Sequence, residues 1–246
     1  MLKAQEIIFD NLLGRLGSIS NKNILDYGCG MGDVIPLLIS MSNPKGKLNV
    51  CDANDNSLQY VKNVFSTYID EGRLNVQKVN RPNLIKETFE ICFCHNVLEC
   101  LDNKVDFINQ LYDRLKENGV LLLSHIDFDS AIYNSSHKDL TRSLIHFYAD
   151  TQQEWQENVD GQIGRKLNGL FNQSKFNKFD FDLFRLFETT YDKDSYGYQM
   201  SHWITDMVKE KQVNLDSSVW INDLEFLNNN MDYFFAIDVS IIMAFK

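Results

Sequence analysis

Apolar positions in the first half of the chain come in two alternating rhythms. Short apolar runs near residues 23–27, 48–52, 74–79, 89–94 and 119–126 have the length and composition of buried strands. Between them, residues 33–41, 56–69 and 103–117 carry apolar residues at helical spacing, with Val34, Ile35, Leu37, Leu38 and Ile39 inward in the first. An N-terminal helix runs to about Arg15 within a segment spanning 1–20, and Ile7, Ile8, Leu12 and Leu13 face inward. Strand–helix alternation of this kind implies an α/β fold with a mostly parallel sheet and helices on both faces. The second half has another pattern. Residues 138–176 read as helical without a clean stripe, and 197–211 and 217–228 as two further helices. Phe179 to Tyr191 alternates with one slip, and Tyr233 to Phe245 alternates strongly, which adds two strands and makes seven.

Ligands of such sheets bind beyond the carboxyl ends of the strands. That edge collects Asp26, Asp52, Asn80, His95 and Asp127. The first strand runs straight into Gly28, Gly30 and Gly32, a turn at which a backbone can come close to a ligand. A dinucleotide fingerprint reads G-x-G-x-x-G and sets a pyrophosphate on a helix N-terminus. Here the third glycine comes one residue early, and Asp26 would repel a pyrophosphate. An acid there suits a cofactor with an ammonium group and no phosphate, such as S-adenosylmethionine (SAM). Asp52 closes the second strand, where an acid can accept hydrogen bonds from both ribose hydroxyls.

At these residues the chain resembles the class I SAM-dependent methyltransferases. The matching pieces are Leu25 to Gly32, Val50 to Asn54, Phe89 to Glu99 and Leu115 to Ser124. The last looks like the family's L-K-P-G-G turn, with Glu117 and Asn118 in place of the proline and first glycine. The resemblance covers roughly residues 20–127 and is nearest the ubiquinone/menaquinone-biosynthesis-type branch of small-molecule enzymes. It implies a Rossmann-like seven-stranded sheet with an antiparallel last strand, and SAM as cofactor with S-adenosylhomocysteine as product. Asp26, Gly28 and Gly30 would meet the methionyl end and Asp52 the ribose, with Tyr27, Met31, Ala53 and Asn54 lining. Asn80 would stand near the adenine, and His95 near the methyl donor. The family's antiparallel edge hairpin is interrupted here by about forty residues. Segments at about 128–178 and 192–230 are therefore expected as helical covers over the acceptor, the whole of 1–246 forming one domain.

Methyl transfer rests largely on holding donor and acceptor in line. A base, where one is needed, would come from His125, Asp127, His146 or His202. Tyr133, Asn134, Arg165, Tyr191, Tyr198 and His202 are the candidate acceptor contacts. Gly161 and Gly164 suggest a helix junction, with Arg165 in an internal or substrate ion pair.

Charge and cysteine content narrow the class. The formal net charge is −10, which disfavours nucleic-acid binding, and Lys166, Lys175 and Lys178 are interleaved with acids. No apolar run is long enough for a membrane span, and no signal peptide is evident. Cys29, Cys51, Cys92, Cys94 and Cys100 read as reduced core thiols of a cytoplasmic protein, without a metal site. The expected partner is a small, partly apolar or aromatic methyl acceptor, bound by a monomer or homodimer. A protein or tRNA methyltransferase and a non-catalytic SAM-binding protein remain as alternatives.

Overall fold

The computed structural model describes residues 3–43 and 45–246. Seven strands form one sheet: β1 (Ile24–Tyr27), β2 (Leu48–Asp52), β3 (Leu74–Lys78), β4 (Phe89–His95), β5 (Leu115–Tyr133), β6 (Lys178–Glu188) and β7 (Phe235–Phe245), in the order β3-β2-β1-β4-β5-β7-β6. The first five are parallel, and β7 runs antiparallel to both β5 and β6. The order reverses at β1, with β2 on one side and β4 on the other, so the crevice above β1 and β4 is the expected ligand site.

Helices cover both faces. On one lie α1 (Lys3–Gly14), α2 (Ile35–Ser42), α3 (Asp55–Val64), α4 (Ser66–Asp70), α6 (Lys138–Asp150), α8 (Tyr196–Glu210) and α9 (Ser217–Asn229). On the other lie α5 (Lys104–Arg114) and α7 (Ile163–Asn172). Strand alternation splits the side chains accordingly. Ile24, Val50 and Phe93 enter the first core, whereas Leu25, Tyr27, Cys92 and Cys94 enter the second.

Several elements depart from the sequence pattern. In α1 the buried stripe is Ala4, Ile8, Phe9, Leu12 and Leu13, so Ile7 is exposed and Phe9 takes the inward place. The helix expected over 56–69 breaks at Phe65. The one over 138–176 is two helices separated by irregular chain at 151–162. Gly161 explains the second break: a Cβ there would come within 2.4 Å of the Ala149 carbonyl oxygen, so that crossing requires glycine. β5 runs to Tyr133, through a register shift between Asp127 and Ile132, so 128–133 is strand rather than covering helix. β6 is an edge strand in which only Leu186 is buried.

Candidate active site

A cavity of about 340 Å³ opens above β1 and β4. Its cofactor half begins at Asp26, the third residue of β1, whose side chain is 2 % exposed and whose Oδ2 has no hydrogen-bond partner among the described residues. Burial, reinforced by Asp52, raises its carboxyl to about 8. Beyond it the chain turns through Gly28 at φ +78°, where a Cβ would sit 2.3 Å from Val97 Cγ2. Gly30, at φ +51°, has open space where a Cβ would be. Asp52 ties this turn to β2: Oδ2 accepts from the Gly30 amide at 2.9 Å and Oδ1 from the Asn54 amide at 2.8 Å. Asn54 caps α3 by accepting from the Asn56 and Ser57 amides. Ala53 and Asn80 lie exposed at the same edge, and Met31 lines the cavity.

Those residues fit SAM. An unpartnered buried carboxylate oxygen is what an ammonium group needs, and the Gly30 approach leaves room for a ligand backbone. Asp26 and the turn would hold the methionyl end and Asp52 the ribose. Bound there, SAM would supply a methyl group on a positively charged sulfur.

Tyr27 is a correction. It points to the opposite face of β1, packs on Phe107 with ring centroids 5.1 Å apart, and supports the site from below.

The second half of the cavity is walled by Phe9 from α1, His95 from β4, Glu99 from the turn after it, Phe128 from β5, and Tyr196 and Trp203 from α8. His95 Nδ1 lies 2.8 Å from Ser124 Oγ, its ring meets Phe9 edge-on, and burial lowers it to about 3, so it stays neutral. Asn96 adopts φ +53°, which asparagine tolerates, and accepts from the Ile126 amide at 2.8 Å, joining β4 to β5 at the rim.

Glu99 was not singled out from sequence. Its side chain is 13 % exposed, and desolvation, the largest influence, raises it to about 7. Asp160 pushes the same way, while Lys104 and the Cys100 thiol, which donates at 3.8 Å, oppose it. Oε2 lies 3.7 Å from Nε2 of fully buried His125. His125 Nδ1 is 2.7 Å from the Ile126 carbonyl oxygen, a contact that requires the proton on Nδ1 and leaves Nε2 a bare acceptor with no partner among the described residues. Burial lowers the imidazole to about 4.

The other expected catalytic and acceptor residues do not reach the cavity. Asp127, 2 % exposed, receives both Nε and Nη2 of Arg165 at 2.7 Å and lies under Gly164 of α7. Arg165 also pairs with Asp129 at 3.1 Å, and His146, largely exposed, lies 3.5 Å from Asp129. Arg165 is thus an internal ion-pair residue. Buried Tyr133 donates to the Gly197 carbonyl at 2.8 Å, and Asn134 donates to that of Asp232 at 2.7 Å. Tyr191 bonds Ser201 at 2.8 Å, and Tyr198 stacks on His202 at 4.0 Å. Tyr198 and His202 lie on the stripe of α8 that packs on Tyr191, whereas Tyr196 and Trp203, seven residues apart on its other stripe, face the cavity. That spacing was the available signal for them. Glu99 offered only its place one turn past the fourth strand.

Residues 18–180 match the family described as a methyltransferase domain. The chain belongs to that family. This methyltransferase is 32% identical over 109 residues to the mitochondrial ubiquinone biosynthesis O-methyltransferase of Schizosaccharomyces pombe, a stretch covering 44% of this chain and 39% of that one. Its fold resembles a Bacillus halodurans C-125 protein at TM-score 0.58 and 14% identity, covering 97% and 98% of the two chains. Haemonchus contortus phosphoethanolamine N-methyltransferase 2, solved with SAM, aligns at TM-score 0.55 and 14% identity, over 98% of this chain and 52% of that one. Coclaurine N-methyltransferase, solved with N-methylheliamine and S-adenosylhomocysteine, aligns at 0.55 and 13%, over 97% and 72%. Its sheet and glycine turn make it a class I SAM-dependent enzyme. No helix among the described residues is long and apolar enough to cross a membrane.

Proposed function

We propose that this methyltransferase binds SAM through Asp26, Gly28, Gly30 and Asp52 and transfers its methyl group to a small, partly aromatic molecule in the adjoining chamber. The observation that carries the reading is one continuous cavity with the orphaned Asp26 carboxylate in one half and Glu99 among aromatic rings in the other. Its size suits a small molecule better than a folded partner. α8 and the Asn96–Glu99 turn serve as the acceptor's cover, in place of the longer helical segments expected from sequence. All of 1–246 serves as one catalytic domain, and its five free thiols suit the cytoplasm.

In the chamber Glu99 takes a proton from the acceptor, and the new carboxylic acid faces the neutral His125 Nε2 at 3.7 Å. His125 touches neither ligand and acts as a positioning residue. Phe9, Phe128, Tyr196 and Trp203 exclude water and align the acceptor, and alignment supplies the larger part of the acceleration.

The test is incubation with methyl-labelled SAM and separate pools of small amines, small phenols, bulk tRNA and cell protein. Label in a small-molecule pool is the expected result. Label confined to tRNA or protein would overturn the assignment of a small acceptor.

A further inference from the structure

We propose that the acceptor is an amine that enters the chamber as a cation, with Glu99 receiving its ammonium group and the surrounding rings its alkyl substituents. This rests on the methyl-transfer reading and narrows it to nitrogen.

The electrostatics of the wall carry the argument. Asp26, Asp33 and Glu99 line the cavity, and among the described residues no lysine or arginine does. Asp26 is committed to the methionyl ammonium, which leaves Glu99 as the buried acid of the acceptor half. A phenol would become a phenolate beside that acid with no lysine or arginine of the wall to hold it, and a carboxylate or phosphate acceptor would fare worse. Lys104, the cation nearest Glu99 in charge influence, donates at 2.5 Å to the Leu101 carbonyl and is not part of the wall. Both nearby imidazoles are neutral, since burial holds His95 at about 3 and His125 at about 4.

The aromatic wall points the same way. Phe9, Phe128, Tyr196 and Trp203 line the same cavity as the acid, and ring faces attract ammonium groups. Tyr196 meets Trp203 edge-on at 5.7 Å and Phe128 meets Tyr148 at 5.6 Å, so each ring has a partner behind it fixing its angle.

The chemistry balances. An N–H bond of the ammonium breaks as an O–H bond forms on Glu99, and the nitrogen keeps the electron pair. That pair forms the new C–N bond while the C–S bond breaks, its electrons staying on sulfur. Sulfur leaves neutral and the methylated nitrogen is again a cation. The proton stays on Glu99, which faces the neutral His125 Nε2, until solvent takes it.

The test uses the whole chain saturated with S-adenosylhomocysteine, titrated calorimetrically with choline and with its uncharged carbon analogue 3,3-dimethylbutan-1-ol. Choline should bind roughly tenfold tighter or more, and Glu99→Gln should erase the preference while keeping S-adenosylhomocysteine affinity, which reports an intact fold. Trp203→Ala should weaken choline binding without reversing the preference. With labelled SAM, N-methylbenzylamine should accept methyl and 4-methylphenol should not. Equal binding of the charged and uncharged probes, or transfer to the phenol alone, would overturn the amine assignment and leave methyl transfer standing. Failure of S-adenosylhomocysteine to bind the wild type would instead remove the methyl-transfer reading, and this proposal with it.

Discussion

Glu99 and His125 face each other across 3.7 Å, and His125 Nε2 has no hydrogen-bond partner among the described residues. The imidazole cannot carry the proton near neutrality, because burial lowers it to about 4, so the proton resides on Glu99 below about 7. The surrounding groups are Cys100 and Lys104 near the turn itself, Asp160 from the crossing loop, Tyr148 from α6 and Tyr196 from α8.

A pH limb follows. Glu99 must be a carboxylate to accept a proton, so kcat/KM for the acceptor should rise with pH and level off above about 7. Glu99→Gln should lower the rate by roughly 10²–10⁴-fold and flatten that limb. His125→Gln should move the midpoint while leaving S-adenosylhomocysteine affinity unchanged. A limb that survives in Glu99→Gln would assign it to another group.

Asp26 ties cofactor binding to protons. Its carboxyl is raised from 3.8 to about 8, so across that window the native state holds a proton the unfolded chain has lost. Stability of the free protein should therefore fall as pH rises from about 4 to about 8 and change little from this group above it. A bound ammonium reverses the preference, and SAM binding at pH 7 should release about one proton, measurable in buffers of different ionisation enthalpy. Asp26→Asn should be more stable than wild type at pH 8 by roughly 0.5–2 kcal/mol in urea titration, and fail to bind SAM.

Gly28 has two constraints at once: φ of +78° and Val97 Cγ2 2.3 Å from any Cβ. Gly28→Ala should cost about 1–3 kcal/mol and weaken SAM. Adding Val97→Ala should recover only the steric share, since the backbone strain remains.

Arg165 separates structure from catalysis. Its guanidinium is 46 % exposed but its partner Asp127 is 3 % exposed, so Arg165→Ala strands a buried carboxylate. A loss of about 1–3 kcal/mol is expected, discounted for the exposed half of the pair. At a temperature where the variant is folded, saturated turnover should match wild type. A large loss there would return Asp127 and Arg165 to the acceptor site.

The sheet and the cofactor end were legible in the sequence because they are local: Asp26, the glycines and Asp52 sit at strand ends, and strand period fixes which way each points. Tyr27 was legible by the same rule, since one residue from Asp26 it must face the other way. The acceptor half was not. Phe9, Glu99, Phe128 and the α8 pair Tyr196 and Trp203 come from four separate elements, and only the tertiary arrangement brings them together. His125 and Asp127 share a strand parity, yet Asp127 sits at the β5 register shift under α7. Tyr133 reads as an acceptor contact only if the chain leaves β5 before it, whereas the strand runs on to Tyr133 itself.

The most direct measurement is calorimetric titration of SAM and S-adenosylhomocysteine into the wild-type chain, Asp26→Asn and Asp52→Ala. The account predicts micromolar binding to the wild type, weakened by Asp52→Ala and abolished by Asp26→Asn, with stabilisation of roughly 2.7 kcal/mol at a hundredfold excess over Kd. No binding to a folded wild type, or unchanged binding to Asp26→Asn, would contradict it.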